Sequence, residues 1–258
     1  MSAPLLVVEG LTVRFGGLTA LNGFGFTLRE GEMVGLIGPN GSGKTTFFNA
    51  LTGIYRPAAG SVRLKNRDIT GLAPQRVYAA GITRTFQRLR LALRLSVFDN
   101  LMIGNHRNLS HGVIGNVFLR AGLRRQVEEN AEKARALLQR FSPPLAQRLH
   151  DPVGQLPMID RRRIEVCRAL ISEPALLLLD EPSAGMTQEE TRALMDDLMA
   201  SRERSPALAM VLIEHEMGVI ERVTERCVVL NYGETIAEGS FRQVAADPKV
   251  RAAYLGED

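Results

Sequence analysis

The stretch Met33-Val34-Gly35-Leu36-Ile37-Gly38-Pro39-Asn40-Gly41-Ser42-Gly43-Lys44-Thr45-Thr46 decides the fold. Its first five residues are a short apolar run, suited to a buried parallel strand. From Gly38 onward it fits the pattern G-x-x-x-x-G-K-[ST], placed after a strand and before a helical pattern that runs through Leu51 and stops at Gly53. The glycines let the backbone curl so that consecutive N–H groups converge on phosphate oxygens. A helix starting near Lys44 adds its positive end. Lys44 supplies a point charge for β- and γ-phosphates, and Thr45 offers a hydroxyl to Mg²⁺. Gly38, Pro39, Asn40, Gly41, Ser42, Gly43, Lys44, Thr45 and Thr46 are therefore the expected phosphate-binding residues.

Working outward, a second site appears at Leu176-Leu177-Leu178-Leu179-Asp180-Glu181, an apolar strand that ends in two acids. In an open α/β sheet, ligands bind at the carboxyl ends of the strands. Asp180 is expected to hold Mg²⁺ there, and Glu181 to orient or deprotonate an attacking water. Between and around these sites strands and helices alternate. Strands are expected over residues 5–15 (broken by Gly10), 21–28, 33–37, 62–67, 175–179, 208–213 and 227–230. Helices are expected near 70–80 and over 127–141, 160–172, 188–204 and 217–225. Alternation of this kind implies a parallel sheet with helices on its faces. Residues 88–152 lack strong strands and read as a helical insertion. Within it, residues 127–141 place Ala131, Ala134, Leu137, Leu138 and Phe141 on one side.

Composition narrows the class. The chain has 258 residues, 45% hydrophobic and 23% charged, with a net charge of +4. Such a length supports a full apolar core, and so mild a charge does not call for nucleic acid. The cysteines, Cys167 and Cys227, are far apart, which excludes a disulfide scaffold or a cysteine-built zinc site and suits a reducing compartment. Apolar runs such as 175–179 fall far short of the roughly 20 residues that span a bilayer. Residues 1–10 show no secretory signal. The charge is uneven: residues 88–163 carry 14 Lys and Arg against 6 Asp and Glu. That face is either an ordinary solvated surface or one that meets an acidic partner or anionic lipid.

The two sites, with their spacing, resemble the ATP-binding cassette (ABC) ATPases, and the resemblance covers nearly the whole chain. It implies an α/β fold: a P-loop NTPase (RecA-like) core with an antiparallel β subdomain and an inserted helical subdomain. The expected division is 1–87 and 157–258 for the core and 88–156 for the helical part. Phe15, in Val13-Arg14-Phe15-Gly16-Gly17, matches the aromatic that stacks on adenine. Gln87, in Thr83-Arg84-Thr85-Phe86-Gln87, matches the glutamine that touches Mg²⁺ and the attacking water and faces the membrane subunit. His215, in Leu212-Ile213-Glu214-His215-Glu216-Met217, matches the switch histidine at the γ-phosphate. The resemblance thus implies Glu181, His215, Gln87 and Lys44 as catalytic residues. It implies Thr45, Gln87 and Asp180 as metal ligands, with ATP and Mg²⁺ bound.

Several stretches look like one subgroup, the LivG-type ATPases of branched-chain amino acid importers. They are residues 14–21, 47–53, 83–91 and 212–217 and the tail 247–257, and related urea and amide importers share much of this wording. The implied partners are a second ATPase subunit (in a hetero- or homodimer), membrane-spanning permeases and, indirectly, an extracytoplasmic solute-binding protein. No nucleic-acid partner is implied, and the implied place is peripheral, on the cytoplasmic face of the inner membrane. The alternatives are the ATPase of an exporter for lipid-like substrates and a non-transport ABC ATPase; the latter usually carries coiled-coil insertions or two cassettes. A P-loop kinase or GTPase is disfavoured: a kinase would not need His215 with this spacing, and no Asn-Lys-x-Asp guanine motif appears.

One segment departs from the family pattern. The signature Leu-Ser-Gly-Gly-Gln falls on Leu156-Pro157-Met158-Ile159-Asp160, followed by Arg161, Arg162 and Arg163. Pro157 lacks both the hydroxyl and an N–H. Met158 and Ile159 add bulk where glycines let a phosphate approach. Asp160 brings a negative charge that suits a helix start but opposes an anion. The three arginines could offset Asp160 or point to solvent. Thr187 stands where Asp or Asn is usual, and Thr187-Gln188-Glu189-Glu190 forms a capping-box pattern. An asymmetric pair of ATPase subunits is the expectation, with this chain's own nucleotide the one hydrolysed.

Overall fold

The computed structural model describes residues 4–108 and 120–255. Residues 109–119 of the expected helical insertion and residues 256 and 257 of the tail lie outside the described residues. The chain divides into two compact units. One comprises residues 1–84, 175–182 and 205–258, and the other residues 85–174 and 183–204.

The first unit holds two sheets. Strands β1 (Pro4–Phe15), β2 (Leu18–Arg29), β4 (Ala59–Leu64) and β5 (Arg67–Asp68) form an antiparallel sheet in the order β2-β1-β4-β5. β1 runs unbroken through Gly10, where the pairing shifts register and the glycine takes φ +61°. Strands β3 (Met33–Ile37), β6 (Ile82–Arg84), β7 (Leu176–Asp180), β8 (Ala209–Ile213), β9 (Arg226–Asn231) and β10 (Glu234–Gly239) form the second sheet. Its order is β10-β9-β3-β8-β7-β6. All pairs are parallel except β10 on β9, joined by the two-residue turn Tyr232-Gly233 with both φ values positive.

β3, β7 and β8 are buried at every position, as strands covered on both faces must be. Each fully buried leucine of β7 contributes on the order of 2 kcal/mol relative to exposure. Strands β6 and β10 and helices Phe241–Ala246 and Pro248–Leu255 are additions to the expected elements. β6 is only three residues long, and β10 is half exposed, so neither carries a clear period.

The second unit is helical. Helix Arg120–Phe141 buries Ala131, Ala134, Leu137, Leu138 and Phe141, as the spacing predicts, but starts seven residues earlier than expected. Helix Met158–Leu170 starts two residues before the expected one, and helix Gln188–Arg204 spans the expected residues. The Thr187 capping box is formed: its hydroxyl accepts from the Glu190 N–H at 3.2 Å, and the Glu190 carboxylate accepts from the Thr187 N–H at 2.9 Å. The expected boundary at 156/157 falls inside this unit. Arg163, which joins Asp197 at 2.8 Å, ties helix Met158–Leu170 to helix Gln188–Arg204. No helix among the described residues is long and apolar enough to cross a membrane.

Candidate nucleotide site

β3 delivers the chain to the loop 38–43, and helix Lys44–Leu51 carries it away. Gly38, Gly41 and Gly43 have φ of +150°, +80° and +111°. A Cβ on Gly38 would lie 2.1 Å from the Leu230 carbonyl oxygen, and one on Gly43 2.8 Å from the Ala20 oxygen. The Gly233 N–H donates to the Ser42 carbonyl at 2.9 Å. The loop is therefore floored by β2, β9 and the turn after β9, and side chains are excluded from its close approaches. The Ser42 hydroxyl is buried with no hydrogen-bond partner. Thr45 is exposed in the first helical turn, and Asn40 and Gly41 are also exposed. Pro39 and Thr46 are half-buried.

Lys44 is 7% exposed. Its Nζ donates to the carbonyls of Gly38 at 2.7 Å and Pro39 at 2.9 Å. Burial holds its ammonium below the usual lysine range, and the carboxylates of Glu181 and Asp180 oppose that shift. The two acids at the tip of β7 therefore act electrostatically on the loop lysine.

Asp180 is the last residue of β7 and is buried. Its Oδ2 accepts from Arg84 Nη2 at 2.5 Å, and Arg84 Nη1 donates to Asn49 Oδ1 at 2.6 Å. Arg84 comes from the neighbouring strand β6, and Asn49 from the helix after the loop. Glu181 stands at φ +47°, a conformation that costs a residue with a Cβ about 1 kcal/mol or more. Its N–H is held by the Ile213 carbonyl at 2.9 Å. Glu181 Oε1 lies 2.8 Å from His215 Nε2. An ionised carboxylate only accepts, so the imidazole donates. His215 is exposed just past β8.

Phe15, at the end of β1, is 44% exposed and packs edge-on against Tyr55 with ring centroids 4.9 Å apart. Gln87 belongs to the helical unit and is exposed there. Pro157 caps helix Met158–Leu170 without a side-chain bond. Asp160 pairs with Arg163 at 3.3 Å, and Arg161 donates to the Gly154 carbonyl at 2.8 Å. Arg162 is not turned to solvent, one of the two orientations the sequence allowed, but buried at 4% exposure.

Sequence reasoning missed four contributors: Arg84, Leu230, Gly233 and Arg162. Arg84 was quoted only as part of a motif; an arginine among Ile82, Thr83 and Thr85 was the available signal. Leu230 and Gly233 floor the loop through backbone atoms, which leave no mark on residue type. Arg162 reads as surface in a run of three arginines.

Residues 21–184 match the ABC transporter family, and residues 234–258 match the family described as branched-chain amino acid ATP-binding cassette transporter. The chain is 39% identical to the high-affinity branched-chain amino acid transport ATP-binding protein LivG of Salmonella typhimurium, over 257 residues and the full length of both. It is 38% identical to LivG of Escherichia coli K12 and to BraF of Pseudomonas aeruginosa, again over both full lengths. A crystal structure of a nucleotide-free ATP-binding cassette from an ABC transporter superposes with a TM-score of 0.84. It has 29% identity and covers 99% of this chain and 100% of that one. The crystal structure of the ADP conformation of MJ1267, an ATP-binding cassette of an ABC transporter, gives 0.83 at 28% identity, over 99% of this chain and 100% of that one. The α/β P-loop architecture, the residues 21–184 match and the full-length relatives agree: this chain belongs to the ATP-hydrolysing ATP-binding proteins of the ABC transporter family, in its LivG group.

Proposed function

We propose that the chain is the ATP-binding and ATP-hydrolysing subunit of an importer for branched-chain amino acids or similar small polar solutes. The observation that carries the hydrolytic reading is the Glu181 carboxylate joined to His215 at 2.8 Å next to Asp180 at the tip of β7, with both acids acting electrostatically on Lys44. The solute class rests on relatives named for branched-chain amino acid transport and on the match over residues 234–258. The chain would work on the cytoplasmic face of the membrane, beside a second ATPase subunit and membrane-spanning permeases, with an extracytoplasmic solute-binding protein upstream.

ATP phosphates would take the loop N–H groups and draw the Lys44 ammonium from the Gly38 and Pro39 carbonyls, while Phe15 stacks on adenine. The donor set suits Mg²⁺, because the Thr45 hydroxyl and Asp180 carboxylate are hard oxygens and the loop's buried Ser42 hydroxyl has no hydrogen-bond partner. When bound, the ion would neutralise phosphate charge. Glu181 would take the proton of the attacking water, held for that task by His215. Gln87 keeps the role its motif implies. Closure around ATP follows from the tighter grip of the closed state on the phosphates.

The residues 156–163 segment supports an asymmetric pair, in which this chain's ATP faces an intact signature on a sister subunit. In the assembled complex, Glu181→Gln is expected to cut ATPase activity at least 100-fold with ATP binding retained. The matching change in the sister should cost far less. Equal losses would refute the asymmetry, and an unaffected ATPase after Glu181→Gln would refute the hydrolytic reading.

A further inference from the structure

Arg162, unlike Arg163, does not pair with Asp160. Its side chain is buried, and its guanidinium meets four acceptors inside the helical unit. Nη2 donates to the Gln87 carbonyl at 2.9 Å and to the Ala184 carbonyl at 2.9 Å. Nη1 donates to the Phe86 carbonyl at 3.3 Å and to Glu165 Oε2 at 3.1 Å. One side chain on helix Met158–Leu170 therefore grips the chain at 86–87, where it enters the unit, and at 184, where it re-enters after Glu181.

The same helix face continues the grip. Glu165, one turn on, is buried, and burial pushes its carboxyl up while Arg162 and Arg168 oppose that. Arg168, a further turn on, donates from Nη1 to the Arg90 carbonyl at 2.6 Å and lies 3.9 Å from Glu165. Residues 162, 165 and 168 follow one another at three-residue steps, so they share a face. That face is charged, buried and aimed at the backbone of residues 86–90. A merely space-filling role would be served as well or better by apolar side chains of the same size. A lysine could not serve either, since its three donors radiate from one point, whereas the guanidinium spreads its donors in a planar fork. The backbone of Gln87 is held while the residue remains exposed.

We infer that Arg162 is the positioning residue for Gln87: its fork, braced by Glu165, fixes the 86–87 and 184 backbone on helix Met158–Leu170 so that these segments move with it as one piece. The inference rests on the hydrolytic reading above for what Gln87 does.

The test uses the assembled transporter carrying Arg162→Met with Glu165→Leu, which removes both buried charges at nearly constant volume. Three quantities are read: ATP affinity by calorimetry, steady-state ATPase kinetics, and amide exchange at residues 87 and 88. These two amides share peptide units with the carbonyls that Arg162 holds. The expected result is ATP affinity and KM within twofold of wild type, kcat down at least tenfold, and exchange at 87 and 88 at least tenfold faster. A kcat within twofold of wild type, or unchanged exchange at 87 and 88, overturns the assignment. If the double variant does not fold, Arg162→Lys keeps the charge and loses the fork, and is held to the same criteria. Failure of the hydrolytic reading is separately visible as an absence of ATP binding or ATPase in the wild-type complex.

Discussion

Replacing Arg84 with methionine tests the electrostatic frame of the site. Its guanidinium bonds Asp180 at 2.5 Å and Asn49 at 2.6 Å and lies 5.3 Å from the centre of the Phe48 ring. The two charged side chains are only 4% and 5% exposed. Removing one member of a buried ion pair costs about 3–5 kcal/mol, because the remaining charge stays desolvated. Lys44 remains as a second cation acting on Asp180, which puts Arg84→Met near the lower end, at about 3 kcal/mol. At about 2–4 °C per kcal/mol for a chain of this size, the transition should fall by about 6–12 °C. Thermal unfolding of the nucleotide-free protein measures this. Asn49→Ala should cost about 1–3 kcal/mol alone, since it removes a hydrogen bond to a charged donor. Added to Arg84→Met it should cost much less, because both changes act through one guanidinium. A loss below about 1 kcal/mol for Arg84→Met, with full additivity in the double variant, would refute the buried-pair reasoning.

Two further changes probe the phosphate loop. Gly38→Ala drives a Cβ to 2.1 Å from a main-chain oxygen that cannot swing away, so a stability loss of about 2–3 kcal/mol and at least a tenfold weaker ATP affinity are expected by calorimetry. Lys44→Met should alter the pH dependence of the empty protein. Because the folded Lys44 pKa is depressed, the unfolded chain binds more protons between that value and 10.5, so wild-type stability rises with pH across that window. Relative to Lys44→Met, the wild-type protein should therefore gain melting temperature from pH 7.5 to pH 10; a relative loss would show the sign to be wrong.

What could be read from residues alone was what backbone conformation demands. Gly38, Gly41 and Gly43 are favoured because their φ values penalise a residue with a Cβ, and the leucines of β7 need cover on both faces. The Ala131-to-Phe141 stripe and the Thr187 cap were likewise legible, since each rests on short-range spacing. Pairings between distant residues were not. Arg84 meets Asp180 across 96 positions and Arg162 meets the Gln87 carbonyl across 75. A single sequence gives no reason to prefer those partners to water. The unit boundary was also hidden, because helix Gln188–Arg204 follows the acid pair in sequence yet joins the helical unit through Asp197 and Arg163.

The strand before the phosphate loop sits between β8 and β9, and the loop rests on Leu230 and Gly233. A ribosome that has just added Thr46 has made every residue of the phosphate grip and none of the strands that flank it. Those neighbours come more than 160 residues later, so the central sheet must wait for long-range closure. Ligand capture is thus a property of the nearly finished polypeptide, and a prematurely terminated product carrying the whole motif would be unable to sequester cellular ATP.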